Sequence, residues 1–212
     1  MNMEQISQQV AKDLLQIEAV KLNPNNPFTW ASGWKSPIYC DNRLSLSFPE
    51  VRLNITKALV QAIKEKFPNV ESIAGVATAG IPQGALVAAE LGVPFIYVRS
   101  KAKGHGMTNL IEGKVVEGQK TVVIEDLVST GGSSLKAVQD LRDSKIEVLG
   151  MAAIFTYGFG VADDNFEAAK CELITLSNYD VLAKEAVKMG YVKDEDLESL
   201  STWRKSPSTW KQ

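Results

Sequence analysis

Apolar residues at Ile6, Val10, Leu14 and Ile17 recur at helical spacing, so the chain opens with an amphipathic helix. The pattern then breaks. Pro24, Pro27, Pro37 and Pro49 punctuate the next segment, with Phe28, Trp30, Trp34 and Tyr39 between them. Prolines exclude a long helix there, so the segment reads as irregular strand and loop covering one side of the molecule. Pro49 suits a first helical turn, and Val51 to Phe67 follows as a helix. From residue 70 short apolar runs alternate with helical patterns. Strands are expected at Ser72–Ala77, Pro94–Arg99, Thr121–Glu125, Val148–Phe155 and Glu172–Leu176. Helices are expected at Ile81–Leu91, Ser133–Ser144 and Asp163–Ala169. Val122, Val123 and Ile124 form the continuous run of a strand buried on both faces. This alternation predicts an α/β fold, a central parallel sheet flanked by helices. Two further helices, roughly Val181–Met189 and Asp194–Trp203, close the chain. The tail from Lys205, with Pro207 and no periodicity, is expected to fray.

Composition narrows the picture. A chain of 212 residues can bury a full core, and a single domain over 1–212 is the default. A net charge of −2 with no long basic run argues against non-specific nucleic-acid binding. No apolar stretch reaches membrane-spanning length, so no membrane partner is expected. Glu4, Lys12 and Asp13 interrupt the first helix, which therefore lacks the apolar centre of a signal peptide. Cys40 and Cys171 are too few for a disulfide framework or a zinc site. A reducing cytoplasm is the simplest compartment.

The run from Thr121 to Ser134 carries the most chemistry. A buried strand ends in Glu125 and Asp126, followed by Leu127, Val128, Ser129, Thr130, Gly131, Gly132 and Ser133, where a helix opens. Adjacent acids are costly in a core, so they belong at the carboxyl edge of the sheet, where open α/β folds bind ligands. The small residues let backbone N–H groups approach an anion, and the helix dipole favours it there. The carboxylates suit sugar hydroxyls or a metal ion. The plain alternative is a strand-to-helix turn with a capping serine.

Three more stretches stand out. Gly75 to Pro82 ends a strand in a small-residue turn, either a second phosphate cradle or a packing turn in which glycines bring helix and sheet together. Ser100 to Gly118 holds four glycines, three lysines and His105; after Arg99 it reads as a solvated surface loop or as a cationic lid over an anion. Phe28 to Asp41 is rich in aromatics and prolines, and reads as a cover over the core or over a planar ring.

The run of apolar residues, Glu125-Asp126 and a Ser/Thr/Gly loop resembles the phosphoribosyl-pyrophosphate (PRPP) motif of type I phosphoribosyltransferases. Phe28-Thr29-Trp30-Ala31-Ser32-Gly33-Trp34-Lys35-Ser36-Pro37-Ile38-Tyr39 is similar to the hood signature of orotate phosphoribosyltransferases, in its bacterial branch. The resemblance spans nearly the whole chain. It implies the type I phosphoribosyltransferase fold with a small hood built mainly from the N-terminal segment. The hood would span roughly 1–48, the core 49–178 and the C-terminal helices 179–206. It implies transfer of a phosphoribosyl group from PRPP to orotate, giving orotidine 5′-phosphate and pyrophosphate in pyrimidine synthesis. Lys103, His105 and Asp126 are then the catalytic candidates. Arg99, Lys103, His105, Glu125, Asp126 and Leu127 to Ser133 would bind PRPP, and Ser129 and Tyr39 would bind orotate. Mg²⁺ is the implied cofactor, carried by PRPP with no dedicated protein ligand, Glu125 and Asp126 reaching it through water. A homodimer with shared active sites is implied as well. The chain departs from other branches at Ala31, at Thr78-Ala79 and at Ser100, where lysines or a tyrosine-lysine pair are usual, and it lacks their arginine near Tyr157. Lys101 is a candidate replacement for the lysine missing at Ser100. Two rival readings stay open, a different base and a PRPP-sensing nucleic-acid regulator.

Overall fold

The computed structural model describes residues 1–30, 33–100 and 110–211. The chain opens with helix α1, Met3–Gln16, whose first turn is closed by a reciprocal cap. Gln5 N donates to Asn2 Oδ1 at 2.9 Å, and Asn2 N donates to Gln5 Oε1 at 3.0 Å. Four short strands follow: β1 (Val20–Leu22), β2 (Phe28–Thr29), β3 (Lys35–Ser36) and β4 (Ile38–Cys40). They form two small antiparallel ribbons, β1 with β4 and β2 with β3. A 3₁₀ helix, Asn42–Ser47, leads into α2, Pro49–Lys66, with proline in its first turn as expected.

The remainder is the alternating part: β5 (Ser72–Val76), α3 (Gly80–Leu91), β6 (Phe95–Val98), β7 (Ile111–Glu112), β8 (Lys120–Val128), α4 (Gly132–Asp143), β9 (Glu147–Thr156), α5 (Gly160–Ala168), β10 (Leu173–Asn178), α6 (Tyr179–Lys188) and α7 (Leu197–Lys205). The six-stranded sheet has the order β10-β9-β8-β5-β6-β7. Every pairing is parallel except β6 with β7. Strand alternation divides the core between two layers. Val122 and Ile124 of β8 face a layer built from α1, α2, α3, α6 and α7. Val123 faces the layer of α4 and α5. The continuous apolar run of β8 is thus the sequence image of burial on both faces.

Glycines set the closest helix–sheet approach. A side chain at Gly75 would meet the Gly80 carbonyl oxygen at 2.7 Å, and one at Gly80 would meet the Ile124 carbonyl. The packing reading of these two glycines therefore holds, and it draws the start of α3 onto β8.

Three features differ from the sequence reading. Strand β8 continues through both acids to Val128 instead of ending at Glu125, because β9 keeps pairing with it, Val128 opposite Thr156. The short strand β7 adds an antiparallel edge inside the expected lid. Its two residues carry too little periodicity to register in sequence. The tail does not fray up to Lys211: Trp210 is buried, and Lys211 Nζ donates to Pro24 O at 2.7 Å. One large aromatic was enough to anchor a segment without a pattern.

Candidate active site

The carboxyl edge of the sheet gathers the candidate residues. Glu125 sits inside β8 at 7% exposure. Its Oε2 accepts from Ser134 Oγ at 2.9 Å, and its Oε1 from Asp126 N at 3.0 Å. Burial, and then the charge of Asp126, push the Glu125 carboxyl up to about 8. Burial also raises Asp126, while the Arg43 guanidinium pulls the other way. Asp126 keeps partial exposure, so it is the acid able to face a ligand. Two ligand-facing acids were expected. The structure turns Glu125 inward, onto the first turn of α4, because strand residues alternate in direction.

Past Val128 the chain makes the loop that α4 requires. Gly131 has φ of +83°, and a side chain there would lie 2.8 Å from the Phe166 ring. Glycine is therefore demanded twice, by backbone conformation and by space. A side chain on Gly132 would meet nothing within 4 Å. Asn165 Nδ2 donates to Thr130 O at 2.9 Å, and Thr156 Oγ1 donates to Val128 O at 3.0 Å, bracing the loop from α5 and β9. Val128 is wholly buried, so only its backbone can meet a ligand, and Leu127 packs against the core. Ser129, Thr130, Gly132 and Ser133 lie at the N-terminal end of the 12-residue helix α4, with its unpaired N–H groups.

Arg99 follows β6 on the same edge. Its N donates to Leu110 O at 2.7 Å, and its Nη1 lies 3.4 Å from Glu112 Oε1. A small cleft of about 110 Å³ joins Ala77, Arg99, Ser100 and Ser133, so the turn after β5, the end of β6 and the α4 loop meet. The Ala77–Thr78 peptide bond in that turn is cis. Lys101, Lys103 and His105 lie outside the described residues, as do Ala31 and Ser32 of the hood.

The hood covers the other side. Tyr39 is exposed, its ring 5.9 Å from that of Phe28. Trp30 lies 5.2 Å from Tyr157 and 5.6 Å edge-on from Trp203, and Trp203 Nε1 donates to Lys35 O at 3.2 Å. The C-terminal helix α7 is thus the floor on which the aromatic hood rests. Tyr157 is buried, and burial pushes its hydroxyl well above the usual phenol range. Asn42, Arg43 and Tyr157 were not picked out by the sequence reading, and Ser134 entered it only as the end of the β8–α4 run. Ser134 adjoins the motif and Asn42 adjoins Asp41, but no spacing rule reveals that residue 42 meets residue 126.

Comparison with known proteins agrees with this geometry. A phosphoribosyl transferase domain profile matches residues 46–187. The orotate phosphoribosyltransferase of Cytophaga hutchinsonii is 61% identical over 206 residues, covering 97% of this chain and 99% of that protein. That of Listeria innocua is 57% identical over 205 residues, covering 97% and 98%. Among solved structures, the orotate phosphoribosyltransferase of Aeropyrum pernix superposes with a TM-score of 0.75 at 28% identity, over 86% of this chain and 99% of that one. On sequence and on fold alike, this chain belongs to the phosphoribosyltransferases, and among them to the orotate phosphoribosyltransferase family.

Proposed function

We propose that this site joins orotate to PRPP, releasing pyrophosphate and giving orotidine 5′-phosphate. The observation that carries the reading is the meeting of one partly exposed carboxylate, Asp126, with the loop 129–133 that opens α4. A ligand bearing a phosphate beside a hydroxylated ring matches that pair. Loop N–H groups and the Ser129, Thr130 and Ser133 hydroxyls hold the 5′-phosphate. Asp126 accepts from the ribose hydroxyls as a charged acceptor. Glu125 holds Asp126 N and Ser134 in place. The hood residue Tyr39 and Ser129 seat the base. Arg99 stands towards the pyrophosphate, and Lys103 and His105 are assigned to the same group.

In the reaction the ribose C1–O bond breaks and its electron pair leaves on pyrophosphate. Orotate N1 supplies the pair for the new C1–N bond, and its proton passes to the released pyrophosphate or to water. Positive charge develops on the sugar and negative charge on the leaving group, so cations at the pyrophosphate end favour the transition state. Exclusion of water by the hood and lid keeps PRPP from hydrolysis.

The donor set fits Mg²⁺ as an ion carried by its substrate. Among the described residues no group of three or more His, Cys, Asp or Glu side chains is placed to hold a metal. Mg²⁺ characteristically takes one or two carboxylates, several waters and substrate phosphates. Bound with PRPP, it supplies charge neutralisation at the pyrophosphate. Asp126, directly or through water, is the residue that would hold it.

We assign the chain to a homodimer in which each lid serves the partner's site. Among the described residues no helix is long and apolar enough to cross a membrane. The test of the activity is PRPP-dependent loss of orotate absorbance with Mg²⁺, run beside uracil, adenine and hypoxanthine. Turnover of orotate alone is expected. Equal or faster turnover of another base would overturn the assignment.

A further inference from the structure

We propose that Asn42 is a positioning residue for Asp126, acting through the backbone of β8; the role rests on the reading of Asp126 as the ribose acceptor. Asn42 is 1% exposed and opens the 3₁₀ helix of the hood. Its Nδ2 donates to Asp126 O at 2.7 Å, across 84 residues of sequence. Everything else about Asn42 is tied to the hood itself. Its Oδ1 accepts from Cys40 Sγ at 3.3 Å, and its carbonyl accepts from Ser45 Oγ at 2.7 Å. Next to it, Asp41 N donates to Ala19 O at 2.7 Å, while the Arg43 guanidinium forks onto Asp41 at 2.6 and 2.9 Å. The amide is therefore aimed, with its Nδ2 directed at β8.

The place it meets is the part of β8 that needs support. Strand β5 pairs with β8 as far as Gly75 opposite Ile124, while β9 stays in register on the other side, Glu125 opposite Ala153 and Leu127 opposite Phe155. Asp126 lies where one neighbouring strand has ended. The peptide unit is planar, so fixing the Asp126 carbonyl oxygen fixes the plane that leaves its Cα. With that plane set, the Cα–Cβ bond that carries the Asp126 carboxylate is held in one direction from the strand. A carboxylate that must meet two hydroxyls of one sugar tolerates little error, because misplacement by about 1 Å costs roughly 100-fold in rate. The same bond makes one unit of two sites. Strand β4, which bears Tyr39, runs directly into the segment that carries Asn42, so the seat of the base and the seat of the ribose keep a fixed separation.

A purely structural role for Asn42 would satisfy a buried carbonyl and do no more. A thermodynamic cycle separates the two. PRPP affinity is measured by titration calorimetry with Mg²⁺ on the full chain, the Asn42→Ala and Asp126→Asn variants, and the double variant. Asn42→Ala is expected to weaken PRPP roughly 10- to 100-fold in the parent chain, the size of a lost hydrogen bond plus misplacement. In the Asp126→Asn background the same substitution is expected to cost less than about twofold, since the group it positions no longer acts. An equal factor in both backgrounds, or no loss in either, would overturn the proposal. Unchanged PRPP affinity in Asp126→Asn alone would instead overturn the ribose reading, so the two failures are distinguishable. Should Asn42→Ala fail to fold, Asn42→Ser runs the same cycle with a side chain too short to reach β8.

Discussion

Replacing Glu125 by glutamine is expected to flatten the dependence of stability on pH. In the folded chain burial and the neighbouring Asp126 hold the Glu125 carboxyl up to about 8, against an ordinary 4.5. Between those values the folded chain retains a proton that the unfolded chain has released. Stability from this group is therefore complete below about 4.5 and is lost as pH rises through about 8. The loss accumulates across that window to roughly a few kcal/mol. Glutamine reproduces the protonated side chain without titrating. Its oxygen can accept from Asp126 N, and its amide can donate to Ser134 Oγ, the two atoms that Glu125 already contacts. Urea unfolding at a series of pH values, at one protein concentration, measures the effect. The parent and Glu125→Gln are expected to be similar near pH 5, with the variant roughly a few kcal/mol more stable near pH 8.5. Parallel curves across that range would show that Glu125 is ionised in the folded chain, and the inward-facing assignment would fall.

Three further outcomes are expected. Gly131→Val should remove measurable PRPP binding and destabilise the fold by about 3 kcal/mol or more, since φ of +83° and the Phe166 ring both oppose the side chain; calorimetry showing parent-like affinity would contradict the loop assignment. Trp203→Ala should cost about 3–5 kcal/mol in chemical unfolding, because this fully buried ring touches Trp30, Tyr157, Phe159 and Tyr179; a loss under 1 kcal/mol would mean that α7 is not the floor of the hood. Mixing Lys103→Ala with Asp126→Asn protein under subunit exchange should restore roughly a quarter of parent activity, because a two-fold dimer then holds one intact site in each mixed pair. Demonstrated exchange without recovery would keep each lid in its own subunit.

The order of elements and the small-residue loop after β8 were legible in the chain because both are local. A strand buried on two faces must be apolar throughout, as Val122 to Ile124 are, and a loop that offers its backbone must be small, as Ser129 to Gly132 are. Glycine at 131 follows from the αL conformation that this turn requires. The α/β architecture around a central sheet was legible for the same reason, since its period changes within a few residues. Tertiary structure alone decided the rest. Glu125 and Asp126 are identical in sequence logic, yet pleating turns one inward to Ser134 and leaves the other at the edge. The glycines at 75 and 80 meet a helix–sheet distance that leaves no room for a side chain, a constraint no local pattern states. Trp210 anchors a tail with no periodicity, and Asn42 reaches Asp126 across the fold. These are contacts between segments far apart in the chain, and a linear pattern holds no record of which distant segments the fold brings within hydrogen-bonding distance.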